Sequence, residues 1–183
     1  GTVLALMKLS KSSWLSKPAS AYIHLIRSTP LLLQVLIINF GIFAAVNVDK
    51  IIVGVIACGL NSAAYVAELI RGGIESVDKG QTEAGRSLGL NGWQTMRLIV
   101  LPQALKTALP SLCNEFIVLI KETSVLAYIA LTDLTKAADY IRSRTFSPFT
   151  SYIVSALLYL VVISIFTKLV GKLERRLRRS DNR

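Results

Sequence analysis

Long uncharged apolar runs, separated by polar stretches of differing character, set the order of elements in this chain. A spanning helix needs roughly 20 mainly apolar residues. Leu31 to Val48 suits one such span, with Pro30 tolerated at its first turn. A short link, Asn47 to Lys50, then turns the chain into a second run, Ile51 to Ala67. A third run, Pro102 to Ile120, is interrupted by Pro110 and Glu115 and closed by Lys121 and Glu122, so its helix is expected to break. The cleanest run is Thr145 to Thr167, which carries no charge.

Between these lie pieces that cannot cross a membrane alone. Gly1 to Met7 is apolar but short, and reads as the end of a first span that begins before Gly1. Lys8 to Arg27 carries Trp14, Tyr22 and several basic residues, which fits a cytoplasmic loop with an interfacial helix near Pro18 to Ile26. Thr123 to Thr132 is uncharged yet too short, and is expected to be a half-crossing packed in protein. Asp133 to Arg144 has mixed charge and fits an outer loop or surface helix.

Gln81 to Pro110 is the longest polar interruption, and its pattern predicts a helical hairpin. Ile74, Val77, Ala84 and Leu88 recur at helical spacing and are expected to share one apolar face. Gly89 is free to take the positive φ that ends a helix. Asn91, with Gln94 three residues on, has the form of a capping box. Trp93, Met96 and Val100 are expected to share the face of the second helix, with Pro102 at its end or at a kink.

Composition fixes the solvent. The chain has 183 residues, of which 52% are hydrophobic and 17% charged, against about 25% charged in soluble domains. Its mean hydropathy is +0.54, so it is read as an integral membrane protein. The formal net charge of +10 does not point to nucleic acid. The lysines and arginines flank the apolar runs, where the positive-inside rule places them, and Lys168, Lys172, Arg175, Arg176, Arg178, Arg179 and Arg183 form a basic tail. Cys58 and Cys113 lie inside apolar runs and read as small hydrophobes. The single histidine, His24, has no companions at metal-ligand spacing, and no metal or cofactor is expected.

The hairpin also carries a family resemblance. Glu83-Ala84-Gly85, then Gly89, then Ile99, Leu101 and Pro102 match the spacing of the EAA loop of ABC importer permeases, E-A-A, three residues, G, nine residues, I-x-L-P. The one departure is Gly85 in place of the second alanine, which lowers helix propensity by up to about 1 kcal/mol and removes a methyl, so that it either weakens packing there or simply keeps the position small. Arg27-Ser28-Thr29-Pro30-Leu31-Leu32 resembles the RGTPLL segment of the branch that imports polar amino acids, with Ser28 where glycine is usual. Asn61 to Gly73, Gly80-Gln81 and Lys121-Glu122-Thr123-Ser124 resemble three further segments of that branch.

Counting the incomplete first run, the apolar runs give about five transmembrane helices, with the basic clusters placing the N-terminus outside and the C-terminus inside. The resemblance implies an all-α permease in a bacterial cytoplasmic membrane. It implies a single permease domain over residues 1–183, with residues 74–101 as the cytoplasmic coupling loop. That loop would dock into a groove of a cytoplasmic ATPase, with Glu83 at the contact and Gly89 making the turn. The implied partners are two ATPase subunits, a second permease subunit, identical or related, and an extracytoplasmic amino-acid-binding protein.

Polar groups inside the runs mark the candidate path, because an ionisable group costs about 2.5–3.5 kcal/mol at mid-bilayer. Asn114 and Lys121 lie seven residues apart, as do Glu115 and Glu122, giving adjacent stripes on one side of a helix. Asn61, Tyr65 and Glu68 form a similar polar face. With Thr123 and Ser124, these groups can replace water around a polar zwitterion; alternatively they bond neighbouring helices together. Glu68, beside Arg71, is expected to form a structural ion pair. Glu115 and Glu122 favour a cation and Lys121 opposes it, which leaves the side-chain charge of a substrate open. No Gly-rich phosphate loop is present, so energy must come from another subunit. The competing readings are an autonomous channel or ion-coupled carrier, which inverted repeats would favour, and a non-transporting membrane scaffold.

Overall fold

The computed structural model describes residues 1–181, with side chains described through Lys172. The side chains of Arg175, Arg176, Arg178 and Arg179, and all of Arg183, lie outside the described residues, and so does most of the basic tail. The described chain is helical almost throughout. Its helices are α1 (Thr2–Lys8), α2 (Ser13–Arg27), α3 (Leu31–Ile37), α4 (Lys50–Glu75), α5 (Lys79–Ser87), α6 (Gly92–Thr95), α7 (Leu101–Glu122), α8 (Leu134–Thr145) and α9 (Pro148–Asp181). A π-turn, Ile38–Ile42, extends α3, and another, Met96–Val100, joins α6 to α7. A 3₁₀ segment, Thr123–Ile129, follows α7.

Length and apolarity qualify two of these helices to cross a membrane, Lys50–Glu75 and Pro148–Lys172. The pair Ser13–Arg27 and Leu31–Ile42 passes the same test as one broken span. At 22 residues α7 is long enough, about 33 Å, but carries Lys106, Glu115, Lys121 and Glu122.

Several boundaries differ from those predicted. The run expected to be helical through Val48 closes at Ile42 and continues through turns to Lys50. Apolarity marks residues that lipid accepts, and says less about where helix stops. Pro110 does not break α7: it removes one N–H, while the apolar runs on either side continue the helix. The short run after Glu122 is the 3₁₀ segment, closed by Ala130 at φ 64°. Asp133 caps α8, accepting from the Lys136 backbone N–H at 2.7 Å, and Pro148 opens α9.

The chain forms two compact units. One comprises Gly1–Arg27 and Ala63–Glu115. Its core joins Ala5 of α1, Ile23 and Ile26 of α2, Ala64, Ala67, Ile70 and Ile74 of α4, then Val100 and Ala104. Small residues let backbones approach: a methyl group on Gly73 would lie 2.6 Å from the Ala104 carbonyl oxygen.

The other unit comprises Ser28–Ser62 and the chain from Phe116 onward. Val35 and Ile38, Val53, Ala57 and Cys58, and Leu126 and Ile129 form its core. Both cysteines are free thiols. On α9 the buried positions include Ser151 and Ser155, while Ile153, Leu157, Leu160, Val161 and Ile165 are exposed. A long helix with that much bare apolar surface is suited to lipid rather than water.

Candidate functional site

The polar hairpin is built from two capping motifs set back to back. Helix α4 ends at Glu75, and Asp78 starts α5 by accepting from the Gly80 backbone N–H at 2.6 Å. Helix α5 ends in a Schellman motif: the Leu90 N–H reaches the Gly85 carbonyl at 3.1 Å and the Gly89 N–H reaches that of Arg86 at 3.0 Å. Gly89 carries the required positive φ, 84°. The predicted capping box then starts α6, with Asn91 and Gln94 exchanging bonds of 2.9 Å.

The face that α5 buries is not the one predicted. The break at residues 76–78 resets the helical register, so Ile74 belongs to α4, Val77 to the break, and Ala84 and Leu88 are exposed. Gly85 is the buried position. Across from it lie Thr95, 1% exposed, and Ile99. A methyl group on Gly85 would come within 2.8 Å of both Thr95 Cγ2 and Ile99 Cδ1. Of the two readings the sequence left open, the close contact favours the need for a small residue at this position over loosened packing. Trp93 is likewise exposed rather than packed with Val100.

The hairpin consequently presents Glu83, Ala84, Leu88, Gly89 and Trp93 outward, with Leu88 79% and Trp93 62% exposed. Ile99 and Leu101 are half-buried, and Pro102 is exposed at the start of α7. The π-turn directly before Pro102 widens the helix at the point where proline would otherwise meet the preceding turn.

Helix α4 carries its polar residues at positions 61, 65 and 68. Asn61 is 2% exposed, and its amide nitrogen donates to Gln34 Oε1 at 3.0 Å. The Asn61 Oδ1 is buried and has no hydrogen-bond partner. A buried acceptor in that state costs about 1–3 kcal/mol. Tyr65 is half-buried, with the Arg27 guanidinium 5.4 Å from its ring centre.

Glu68 is a hub rather than half of a pair. The expected bridge to Arg71 is present at 3.0 Å, and Lys8 at 2.6 Å and Arg27 at 3.4 Å share the same carboxylate. One acidic side chain thereby ties α1, α2 and α4 together. Periodicity could not show this, because Lys8 and Glu68 are 60 residues apart.

On α7 the unbroken helix preserves the sevenfold spacing. Asn114 and Lys121 are exposed, whereas Glu115 and Glu122 are half-buried on the adjacent stripe. Thr123 and Ser124 open the 3₁₀ segment, and Thr123 donates to the Ile120 carbonyl at 2.7 Å. Gln34, buried and bonded to Asn61, was not legible as part of the site, since one glutamine in an apolar run has no periodic signature.

Comparison with known proteins decides the family. The model of the binding-protein-dependent transport system inner membrane component matches residues 1–179. The chain belongs to that family. The permease is 41% identical over 177 residues to the probable amino-acid ABC transporter permease protein YckA of Bacillus subtilis (strain 168), covering 96% of this chain and 78% of the relative. It is 37% identical over 183 residues to the arginine transport system permease protein ArtQ of the same organism, covering 99% and 84%. A crystal structure of an amino acid ABC transporter with histidines superposes with a TM-score of 0.85 at 46% identity, covering 94% of this chain and 81% of that one. The inward-facing MetNI methionine ABC transporter matches at a TM-score of 0.79 and 16% identity, covering 96% and 84%, which shows a shared fold. The permease is thus a transmembrane subunit of an importer, a multi-pass component of the inner membrane. Family membership implies ATPase and binding-protein partners in general terms.

Proposed function

We propose that this permease imports a polar amino acid, and that the α5–α6 hairpin couples it to a separate ATPase. The hairpin carries the reading. Two caps hold its backbone rigid while Glu83, Leu88 and Trp93 face outward, a mixture of charge and apolar surface suited to a groove on a protein. The coupling set is Glu83, Ala84, Gly85, Gly89, Ile99 and Leu101, within residues 74–101 of a single permease domain, with Pro102 directly after them.

The amino-acid class rests on the relatives, two of which are named for amino-acid and arginine transport. Groups for such a substrate are available along α4 and α7: Asn61, Tyr65, Asn114, Glu115, Lys121 and Glu122, with Thr123 and Ser124 beyond. Hydroxyls, amides and carboxylates there would replace the hydration of an ammonium and a carboxylate. The unpartnered Asn61 Oδ1 supports this assignment. Two permease subunits, identical or related, would work with two ATPases and an extracytoplasmic binding protein, rocking between inward- and outward-facing states. The basic residues Lys168 and Lys172 at the end of the α9 span support a cytoplasmic C-terminus.

The test is Glu83→Ala in the reconstituted complex. ATP hydrolysis should separate from uptake while the protein still inserts and purifies with its partners. Coupled uptake at the wild-type ratio would overturn the assignment of the hairpin.

A further inference from the structure

The Asn61 acceptor is one end of a relay whose direction is set by backbone. Gln34 is 8% exposed, and its Nε2 donates to both the Thr29 carbonyl at 3.0 Å and Thr29 Oγ1 at 2.8 Å. A carbonyl oxygen can only accept, so the Gln34 amide cannot turn over without facing oxygen to oxygen. Its Oε1 is therefore the atom presented to Asn61, and it accepts from Asn61 Nδ2 at 3.0 Å. The same logic then fixes Asn61: its nitrogen faces Gln34, and its Oδ1 is the atom left without a partner.

We infer that Gln34 is a positioning residue that makes Asn61 acceptor-only, so that the substrate group received there is a hydrogen-bond donor such as an ammonium. The inference rests on the reading above that Asn61 belongs to the substrate path. Oδ1 is covered in this conformation, so the donor reaches it as the spans rock, and the unmet acceptor gains its partner in the loaded state. A structural role for Gln34 would require only that its polar atoms be satisfied. The relay additionally requires that Asn61 show one polarity.

That difference is testable in the full complex with its ATPase and binding protein, reconstituted in vesicles. The probe is whichever of radiolabelled L-arginine, L-glutamine and L-glutamate the wild type takes up. In Gln34→Met the Asn61 amide is free to rotate, and the KM for uptake should rise about tenfold, the scale of one hydrogen bond. Asn61→Asp placed in that background presents oxygen whichever way it turns, and should bring KM back to within about threefold of wild type. Asn61→Asp alone faces a carboxylate oxygen to Gln34 Oε1 and should be worse than the double variant. An unchanged KM in Gln34→Met, or no recovery in the double variant, overturns the relay.

Should Gln34→Met fail to assemble, Asn61→Asp in the native background reads the same relay. It faces a carboxylate oxygen to the fixed Gln34 Oε1 and should raise KM about tenfold, whereas an unchanged KM overturns the inference. Asn61→Leu separates the two levels of the argument. Normal uptake in Asn61→Leu removes Asn61 from the path and refutes the underlying reading. Loss of uptake there with an unaffected Gln34→Met refutes the relay alone. Where the wild type takes up none of the three, the remaining polar amino acids are supplied in turn as the probe, and uptake of none of them refutes both.

Discussion

Gly85→Ala pits helix propensity against packing at one atom. In an exposed helix interior the change should stabilise by roughly 0.8–1 kcal/mol. Here the added methyl would lie 2.8 Å from Thr95 Cγ2, 2.8 Å from Ile99 Cδ1 and 3.2 Å from Thr95 Oγ1. The Ile99 tip can rotate away. Thr95 cannot, because it is β-branched, buried, and tied by its hydroxyl to the Asn91 carbonyl at 2.9 Å. Overpacking a fixed neighbour typically costs about 1–3 kcal/mol. The net effect expected is a destabilisation of about 1 kcal/mol, confined to the α5–α6 hairpin. Thr95→Ser removes Cγ2 but keeps the hydroxyl, so the double variant should recover most of the loss. A double-mutant cycle should show a coupling of about 1 kcal/mol, read by amide exchange at Gly89 and Leu90 in the purified complex. Slower exchange in Gly85→Ala, or no coupling to Thr95→Ser, would refute the close contact.

Other consequences follow from the same structure. Glu68→Gln leaves Lys8, Arg27 and Arg71 without their shared carboxylate, and should destabilise the permease by about 2–3 kcal/mol in thermal unfolding, between the limits for exposed and buried pairs. Gly89→Ala forces a side chain into positive φ and should cost about 1 kcal/mol, while Gly89→Asn, which tolerates that region, should cost less. Outside the spans, the hydrogen bond from Arg142 holds the Asp139 carboxyl below its usual range. A depressed folded-state value gives stability that is present above the unfolded-state value, about 3.9, and lost as pH falls through the folded one. Protection of the α8 amides should therefore weaken on acidification, and Asp139→Asn should remove that dependence.

Much of the architecture follows from patterns that act locally. The capping box at Asn91 and the positive φ of Gly89 are short-range hydrogen-bond problems with few solutions, and each is found where the chain signals it. Burial inside the hairpin was less legible, because Asp78 restarts the helix and shifts its register, turning Leu88 outward and Gly85 inward. The ends of apolar runs were also poorly marked, as the closure of α3 and its π-turn at Ile42 shows. Long-range polar contacts left no periodic trace: Lys8 meets Glu68, and Gln34 meets Asn61, only after the chain has folded.

The measurement that bears most directly on the central claim is uptake into vesicles holding the permease, its ATPase and its binding protein. Each polar amino acid would be supplied at the binding-protein side, with or without ATP on the ATPase side. The account predicts saturable uptake of one group of amino acids that requires ATP and the binding protein. Uptake that proceeds equally without ATP would contradict it, and would favour an autonomous channel or carrier in which the exposed hairpin has no coupling role.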